Sequence, residues 1–342
     1  MPHTIMRLQP TLFLLLFLVF STTSFSQITI VTKLPDSTTT QKKKVNPETI
    51  ITKIDTVPTS HWTNKNMLGI DISEIAFVNW SAGGTSAITG LLKGHLKRDY
   101  KDENQVWSNE LIFRYGLNKQ EGVELRKTDD VFRINSTYGY RKDTLSNWYH
   151  SAKFNFNTQF SAGYNYPDTD NPISKPFAPA YTFLGIGSEY INKAEKFKFY
   201  ISPLTLKNTL VLDQTLANAG AYGVTKAIYD AQGNIITEGK QSKTELGILV
   251  TSYIEREVFT NITLKNRLSL YTDYIHNFGN IDVDWQFYAD LKVNQYVKAN
   301  IGFNLVYDED IDVIDDQNGV LVNVGPKVQL KQVLGVGLEY NF

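Results

Sequence analysis

The segment from Val328 to Phe342 alternates with a period of two. Its even positions are mostly apolar: Val328, Leu330, Gln332, Leu334, Val336, Leu338, Tyr340 and Phe342. Its odd positions carry Gln, Lys, Val, Gly, Gly, Glu and Asn. Successive side chains of a β-strand point to opposite faces, so the pattern predicts a strand with one apolar and one polar face. Termini usually fray, whereas a closed barrel needs an ordered last strand that pairs with the first, so we expect a barrel.

The same alternation recurs along the chain, for example over 107–115, 151–166, 283–293 and 297–308. The polar faces combine Asn, Gln, Ser and Gly with charges of both signs, which is typical of the interior of a narrow membrane barrel. Strands of soluble β-sandwiches are usually about five to six residues long. Most of these segments reach the roughly 9 to 11 residues with which a tilted strand crosses a bilayer. The sequence therefore predicts an all-β, transmembrane, antiparallel up-and-down β-barrel.

The number of strands follows from counting these segments. The candidates are 67–78, 84–100, 105–117, 130–142, 148–166, 179–192, 196–205, 206–214, 243–256, 261–275, 281–293, 297–308 and 326–342. A single-chain barrel favours an even number, so we predict about twelve strands, with fourteen as the alternative. Counting back from the last strand makes 84–100 the first strand and makes 214–243 and 308–326 long extracellular loops. The segment 67–78 is then left over, as an inner plug, a periplasmic strand or a miscount.

The N-terminal part of the chain has a different composition. Arg7 precedes the apolar run 12–20, and small residues follow at Ser24 and Ser26, which predicts a secretory signal peptide over 1–26. Residues 27–65 are rich in Ser, Thr, Lys and Pro without a sustained period, and we interpret them as a flexible periplasmic linker. The barrel is expected over 66–342.

Composition excludes several classes of function. With 34 Lys and Arg against 35 Asp and Glu, the formal net charge is −1, which gives no electrostatic reason to expect a nucleic-acid partner. The chain contains no cysteine, so disulfides, thiol catalysis and cysteine-ligated zinc are excluded. No cofactor is predicted.

Charged residues on the polar faces of the strands are the candidates for a polar path through the lumen. They are Glu110, Arg114, Arg133, Lys153, Lys265, Arg267, Asp273, Asp284, Asp290, Lys292, Lys298, Lys331 and Glu339. About twelve strands enclose a small interior, and buried charges are tolerated when they are paired. We therefore expect ion pairs that largely occlude the lumen. A selective channel for a small solute remains an option where one sign of charge lines a continuous track.

Other chemistry is sparsely represented. A hydrolase on a barrel scaffold would require a nucleophile with an oriented histidine, and the available candidates are His150 beside Ser151 and His276 beside Asn277. Neighbouring residues of a strand point to opposite faces, so His150 and Ser151 should not form a pair.

An acidic stretch with Asp308, Asp310 and Asp312 offers oxygen ligands for calcium. Its spacing does not match a helix–loop–helix calcium loop, and a solvated extracellular loop is the favoured interpretation.

Five short motifs occur in order: NWSAGG (79–84), RKTDD (126–130), NTQFSAGY (157–164), FAPAY (177–181) and GAYGV (220–224). In these motifs the chain resembles the DUF3078 family of exported proteins of Gram-negative bacteria. The resemblance implies an outer-membrane β-barrel-like protein of unassigned activity, and it supplies no catalytic residues.

The alternating strands, the composition and the family resemblance together predict an outer-membrane barrel with a transport or envelope-interaction role. A barrel hydrolase and a structural or adhesive barrel are the alternatives. Membrane lipid would surround the barrel. By resemblance to other bacterial barrels, Tyr340 and Phe342 would form the signal that the barrel-assembly machinery reads.

Overall fold

The computed structural model describes residues 60–76, 85–275, 278–317 and 320–342. The predicted signal peptide, most of the predicted linker, the NWSAGG motif and His276 lie outside the described residues. Within the described residues, twelve strands close into an antiparallel barrel. They are Trp62–Ile75 (β1), Ala87–Lys101 (β2), Gln105–Gln120 (β3), Arg126–Tyr140 (β4), Trp148–Thr158 (β5), Ala180–Asn192 (β6), Phe197–Leu210 (β7), Ser242–Phe259 (β8), Ile262–Asp273 (β9), Asp282–Lys292 (β10), Val297–Tyr307 (β11) and Gln329–Asn341 (β12).

Each strand pairs with its neighbours in sequence, and β12 pairs with β1 to close the ring. Short turns join β2 to β3, β4 to β5, β6 to β7, β8 to β9 and β10 to β11, and we call this the short-turn end. β1 begins and β12 finishes at the same end. The opposite, long-loop end carries 159–179, 211–241 and 308–328. The prediction of an up-and-down barrel of twelve strands is confirmed.

Two strand assignments were wrong. One adds a strand to the predicted barrel and the other removes one, so the total stays at twelve. The segment 67–78 is not left over, because β1 is the first barrel strand and begins at Trp62, inside the segment assigned to the linker. The segments 196–205 and 206–214 form the single strand β7. Pro203 lies where the register of β7 shifts against both β6 and β8, as in a β-bulge, because proline cannot donate a ladder hydrogen bond.

The segment 148–166 also ends earlier than predicted, at Thr158. The backbone N–H groups of Phe160 and Ser161 donate to the carboxylate of Asp130, at 2.7 and 2.9 Å, so the chain leaves the ladder there. The short strand Gly163–Tyr164 then pairs with Pro172–Ser174 in a small hairpin. Alternation in the sequence continues past Thr158, but the pairing with β4 does not.

The distribution of polarity across the barrel wall is inverted relative to a soluble protein. Outward positions expose apolar side chains, such as Leu334 at 80% and Ile186 at 63% exposure. Inward positions bury charged ones, including Lys93, Glu189 and Lys207. An apolar outer band around a polar interior is the arrangement that a transmembrane barrel requires.

Aromatic side chains form a band at the short-turn end. Trp62 packs against Tyr100 and Trp107 with ring centroids 5.3 and 5.8 Å apart. Trp148 packs against Tyr190 at 5.3 Å. Such girdles sit at the level of lipid headgroups in membrane barrels.

No helix among the described residues is both long and apolar enough to span a membrane.

Candidate functional site

The strand register places all thirteen predicted lumen charges on the inward face of the barrel. The interior contains a cavity of about 770 Å³. Seven of the thirteen residues line it: Glu110, Arg114, Arg133, Lys153, Lys265, Arg267 and Asp284. Six share the inward face but do not line this cavity: Asp273, Asp290, Lys292, Lys298, Lys331 and Glu339.

The cavity extends along much of the barrel. Its wall includes Lys65 and Asn341 near the short-turn end, and Lys207 and Asp308 near the long-loop end. Between them the lining is polar and charged on most strands. The barrel thus holds an internal chamber of the size that small ligands occupy, which is about 300–1,000 Å³.

Two ion pairs cross this chamber between strands on opposite sides of the ring. Arg267 on β9 lies 3.7 Å from Glu110 on β3, and Arg133 on β4 lies 4.0 Å from Asp284 on β10. In each pair the strands are six positions apart in a ring of twelve, so the side chains span the diameter.

Glu110 is the centre of this arrangement. Besides Arg267, its carboxylate lies 3.5 Å from Lys97 and 3.8 Å from His95, and it accepts a hydrogen bond from Asn135 at 3.2 Å. One carboxylate therefore neutralises cations from two sides of the lumen.

A second network fills the interior beside the seam between β12 and β1. Lys93 lies 3.0 Å from Asp71 and 3.1 Å from Glu339, and Lys298 also pairs with Glu339. Small residues face these groups, because a Cβ on Gly337 would overlap the Asp71 carboxylate. This side of the lumen is occupied by side chains.

Asp129 joins the two halves of the interior. It lies 3.0 Å from Arg114 on the neighbouring strand and 2.9 Å from Lys331 on β12. Lys265 pairs locally with Asp290 at 2.6 Å. Sequence reasoning did not single out Asp71, Lys93 or Asp129, although all three share the inward parity of their strands.

A third cluster closes the long-loop end and was also missed. Lys207 is 3% exposed. Its ammonium lies 2.7 Å from Asp282, 3.4 Å from Asp308 and 3.6 Å from Glu245. Through Asp308, the wall of the barrel is tied to the loop that follows β11.

The predicted calcium ligands are distributed among other partners. Asp308 faces Lys207, and Asp310 lies 2.6 Å from Lys243. Asp312 accepts a hydrogen bond from the side chain of Asn323 at 2.7 Å. In the part of the chain that the structure describes, no group of three or more acidic or histidine side chains is arranged to hold a metal ion.

The sequence motifs meet at the long-loop end. Asp130 of RKTDD accepts from the backbone and hydroxyl of Ser161 in NTQFSAGY, both at 2.9 Å. Lys127 lies 3.0 Å from the same carboxylate and donates to the carbonyl of Ser161 at 2.9 Å. These two motifs therefore fix how the chain leaves β5.

FAPAY and GAYGV build a lid over this end. Their residues contribute to a buried apolar cluster formed by Ala178, Val211, Leu216, Ala217 and Val224. Tyr222 donates from its hydroxyl to the carbonyl of Ile173 at 2.8 Å, and burial raises the pKa of Tyr222 to about 12. Loops 159–179 and 211–241 are thus packed into one layer.

An ion pair and a helix cap hold the same lid. The carboxylate of Asp213 accepts from Lys175 at 2.5 Å and from the N–H of Leu216 at 3.0 Å, capping the short helix Gln214–Asn218 (α1). Burial raises the pKa of Asp213, but the hydrogen bonds and charge of Lys175 and the helix amides outweigh it, so the pKa lies below its usual value.

The histidine candidates are separated. Ser151 is buried on the inward face, whereas His150 is exposed on the outward face, as the alternation predicts. His95 lies inside the barrel against Glu110.

Residues 72–164 match the family model of DUF3078, described as a protein of unknown function. The resemblance to DUF3078 is confirmed over this segment. It covers the last residues of β1, strands β2 to β5 and the first hairpin strand beyond them, whereas FAPAY and GAYGV lie outside the match. No curated protein matches the chain.

Among solved structures, the chain is similar to an outer membrane channel from Pseudomonas putida F1 (TM-score 0.37, 10% identity, 87% of this chain and 100% of the other). It is also similar to the translocator domain of the autotransporter NalP from Neisseria meningitidis (TM-score 0.35, 11% identity, 84% and 90%). At these TM-scores the similarities carry no inference about function.

Proposed function

We propose that this chain is an outer-membrane barrel that passes a small polar solute, and that the structure is its closed state. The apolar outer band, the aromatic band and the polar interior suit a lipid bilayer. The short-turn end would face the periplasm and the long-loop end the exterior, as in other bacterial barrels.

The observation that carries the proposal is the pair of cross-lumen contacts, Glu110 with Arg267 and Arg133 with Asp284. They interrupt a polar chamber that otherwise extends between the two ends. Glu110 and Arg133 are the more buried partners, with side chains 16% and 17% exposed, and a buried charge left without its partner is unfavourable. The pairs would therefore stay closed until a solute supplies replacement hydrogen bonds.

The test is conductance in planar bilayers of the purified, refolded protein, after its folding has been checked by heat-modifiable migration on a gel. The wild type should conduct weakly. Truncating both arginines, Arg133→Ala with Arg267→Ala, should raise the conductance several-fold because the side chains that cross the diameter are removed.

Arg256→Ala is the matched control. Arg256 has outward parity on β8 and is exposed near the short-turn end. The Arg256→Ala variant should therefore conduct like the wild type. A double variant that folds but conducts no more than the wild type would show that the interior is a filled core and would overturn the proposal.

A further inference from the structure

Four cations meet at the short-turn mouth of the lumen. Lys101 ends β2, Arg141 follows β4, Lys193 follows β6, and Lys198 lies on β7. Each continues the inward parity of its strand, because Lys97, Gly139, Glu189 and Tyr200 are inward. We call these four residues the mouth cluster.

The mouth cluster lacks acidic partners. Among the described residues, none of its four cations has a carboxylate oxygen within the 4.0 Å of an ion pair. Two nearby acidic side chains are already engaged, Asp99 with Lys97 at 3.4 Å and Glu255 with Lys196 at 3.6 Å. The guanidinium of Arg141 donates to backbone carbonyls of Glu103 and Ser146.

The cations of the mouth cluster lie within range of one another's charge. The positive charges of Lys101, Arg141 and Lys198 all act on Lys193. Burial, followed by these cationic neighbours, lowers the pKa of Lys193 to about 8. Like charges held together are unfavourable, and an anion placed between them would relieve the repulsion.

Positive charge continues from the mouth cluster into the chamber. Lys198 and Lys153 both line the cavity. Lys153 donates to the hydroxyl of Thr251 at 3.0 Å and lies 4.2 Å above the ring of Tyr200. Lys198 and Arg267 are close enough to repel the charge of Lys153.

The wall that carries these cations also carries carboxylates, which are fewer in number. Glu189 is 5% exposed and is the carboxylate that attracts Lys153 most. Glu110 is shared among Arg267, Lys97 and His95. Cations therefore outnumber carboxylates along the wall that leads from the mouth to the cross-lumen pairs.

We propose that the mouth cluster is a binding site for a small soluble anion bearing phosphate or carboxylate groups, and that such an anion is the solute of the barrel. This deepens the proposed transport function. A lipid headgroup is disfavoured as the source of the anion, since the four side chains take the lumen register while the outward face at this level carries the aromatic band.

The first experiment measures binding without requiring conduction. Inorganic pyrophosphate is titrated calorimetrically into the full-length protein refolded in an uncharged detergent. The double variant Lys101→Gln with Lys193→Gln should bind roughly tenfold more weakly or worse, because charge-assisted hydrogen bonds are lost. The control is Lys240→Gln, an exposed lysine in the loop at the opposite end, which should bind like the wild type.

The second experiment measures the reversal potential of the conducting Arg133→Ala, Arg267→Ala protein under a KCl gradient, with and without the Lys101 and Lys193 changes. The permeability to chloride relative to potassium should fall when the two lysines are neutralised, because the mouth then attracts anions less strongly.

The outcomes separate the two proposals. If the folded Arg133→Ala, Arg267→Ala variant does not conduct but pyrophosphate binding depends on the mouth cluster, transport is refuted and the anion site is retained. Absent binding, or equal binding by the wild type and the folded Lys101→Gln, Lys193→Gln variant, would overturn the anion site whatever the conductance.

Discussion

The backbones of Phe342 and Asn66 exchange two hydrogen bonds, with N to O distances of 3.2 and 3.1 Å. This exchange closes the barrel at the short-turn end. The register between β12 and β1 runs over five residue pairs, from Met67 with Asn341 to Asp71 with Gly337. The contact between β1 and β2 runs over fourteen. The seam is therefore the weaker of the two edges of β1.

Deleting Tyr340–Phe342 should reduce the amount of assembled barrel. The deletion removes the exchange with Asn66, the pairing of Tyr340 with Leu68 and the stacked rings of Tyr340 and Phe342, 5.6 Å apart. The measurement is the heat-modifiable fraction in isolated outer membranes. Phe342→Ala keeps the backbone bonds, so it should assemble if pairing dominates and fail if the aromatic ring is the assembly signal. Normal assembly of the deletion variant would count against a barrel closed through this residue.

Gly337→Ala should impair closure of the seam. A Cβ at this position would overlap the Asp71 carboxylate and lie 2.6 Å from the carbonyl oxygen of Ile70. Gly90→Ala in β2 is the control, because a Cβ there meets nothing within 4 Å. Refolding yields of the two variants should differ, with the Gly90 variant equal to the wild type. Equal yields would mean that the seam is loose enough to absorb a methyl group.

Much of the fold could be predicted because alternation is a local signal. A period of two gives the strand, its two faces and the inward position of residues such as Arg267 and Glu339. The period predicts the bounds of a strand wrongly where a bulge interrupts the alternation. In β7, inward positions are even up to Ser202 and odd from Thr205 onward, because the register shifts at Pro203. Lys207 follows the shift, which is why its inward position was missed.

The pairing of lumen charges could not be predicted from the sequence. The contact between Glu110 and Arg267 depends on β3 and β9 being opposite each other, which is a property of the closed ring and not of either strand. The role of Asp130 is similar, since its partners Phe160 and Ser161 approach it only after β5 ends. Such contacts require the strand number and register together.

Lys207→Met should destabilise the long-loop end and lower the stability of the barrel. The change leaves Asp282, Asp308 and Glu245 facing one another without their shared cation. Removing one partner of a buried ionic group costs about 3–5 kcal/mol. The readout is the urea midpoint of unfolding in lipid vesicles, compared with Lys240→Met, which replaces an exposed lysine and should match the wild type. An unchanged midpoint for the Lys207 variant would show that the cluster does not hold the barrel wall to the loop.

Acid should loosen the lid through Asp213. Its pKa is lowered in the folded protein because Lys175 and the amides of α1 outweigh the effect of burial. A depressed carboxyl pKa contributes stability that is complete above the unfolded value, about 3.9, and is lost as the pH falls through the folded value. Hydrogen exchange of peptides covering 211–224 should therefore accelerate in the wild type below about pH 4, once corrected for intrinsic exchange. Asp213→Asn retains a capping side chain but loses the ion pair, so its exchange should already be faster at pH 6 and should change less on acidification. If both proteins respond equally to acid, the ion pair between Lys175 and Asp213 does not hold the lid.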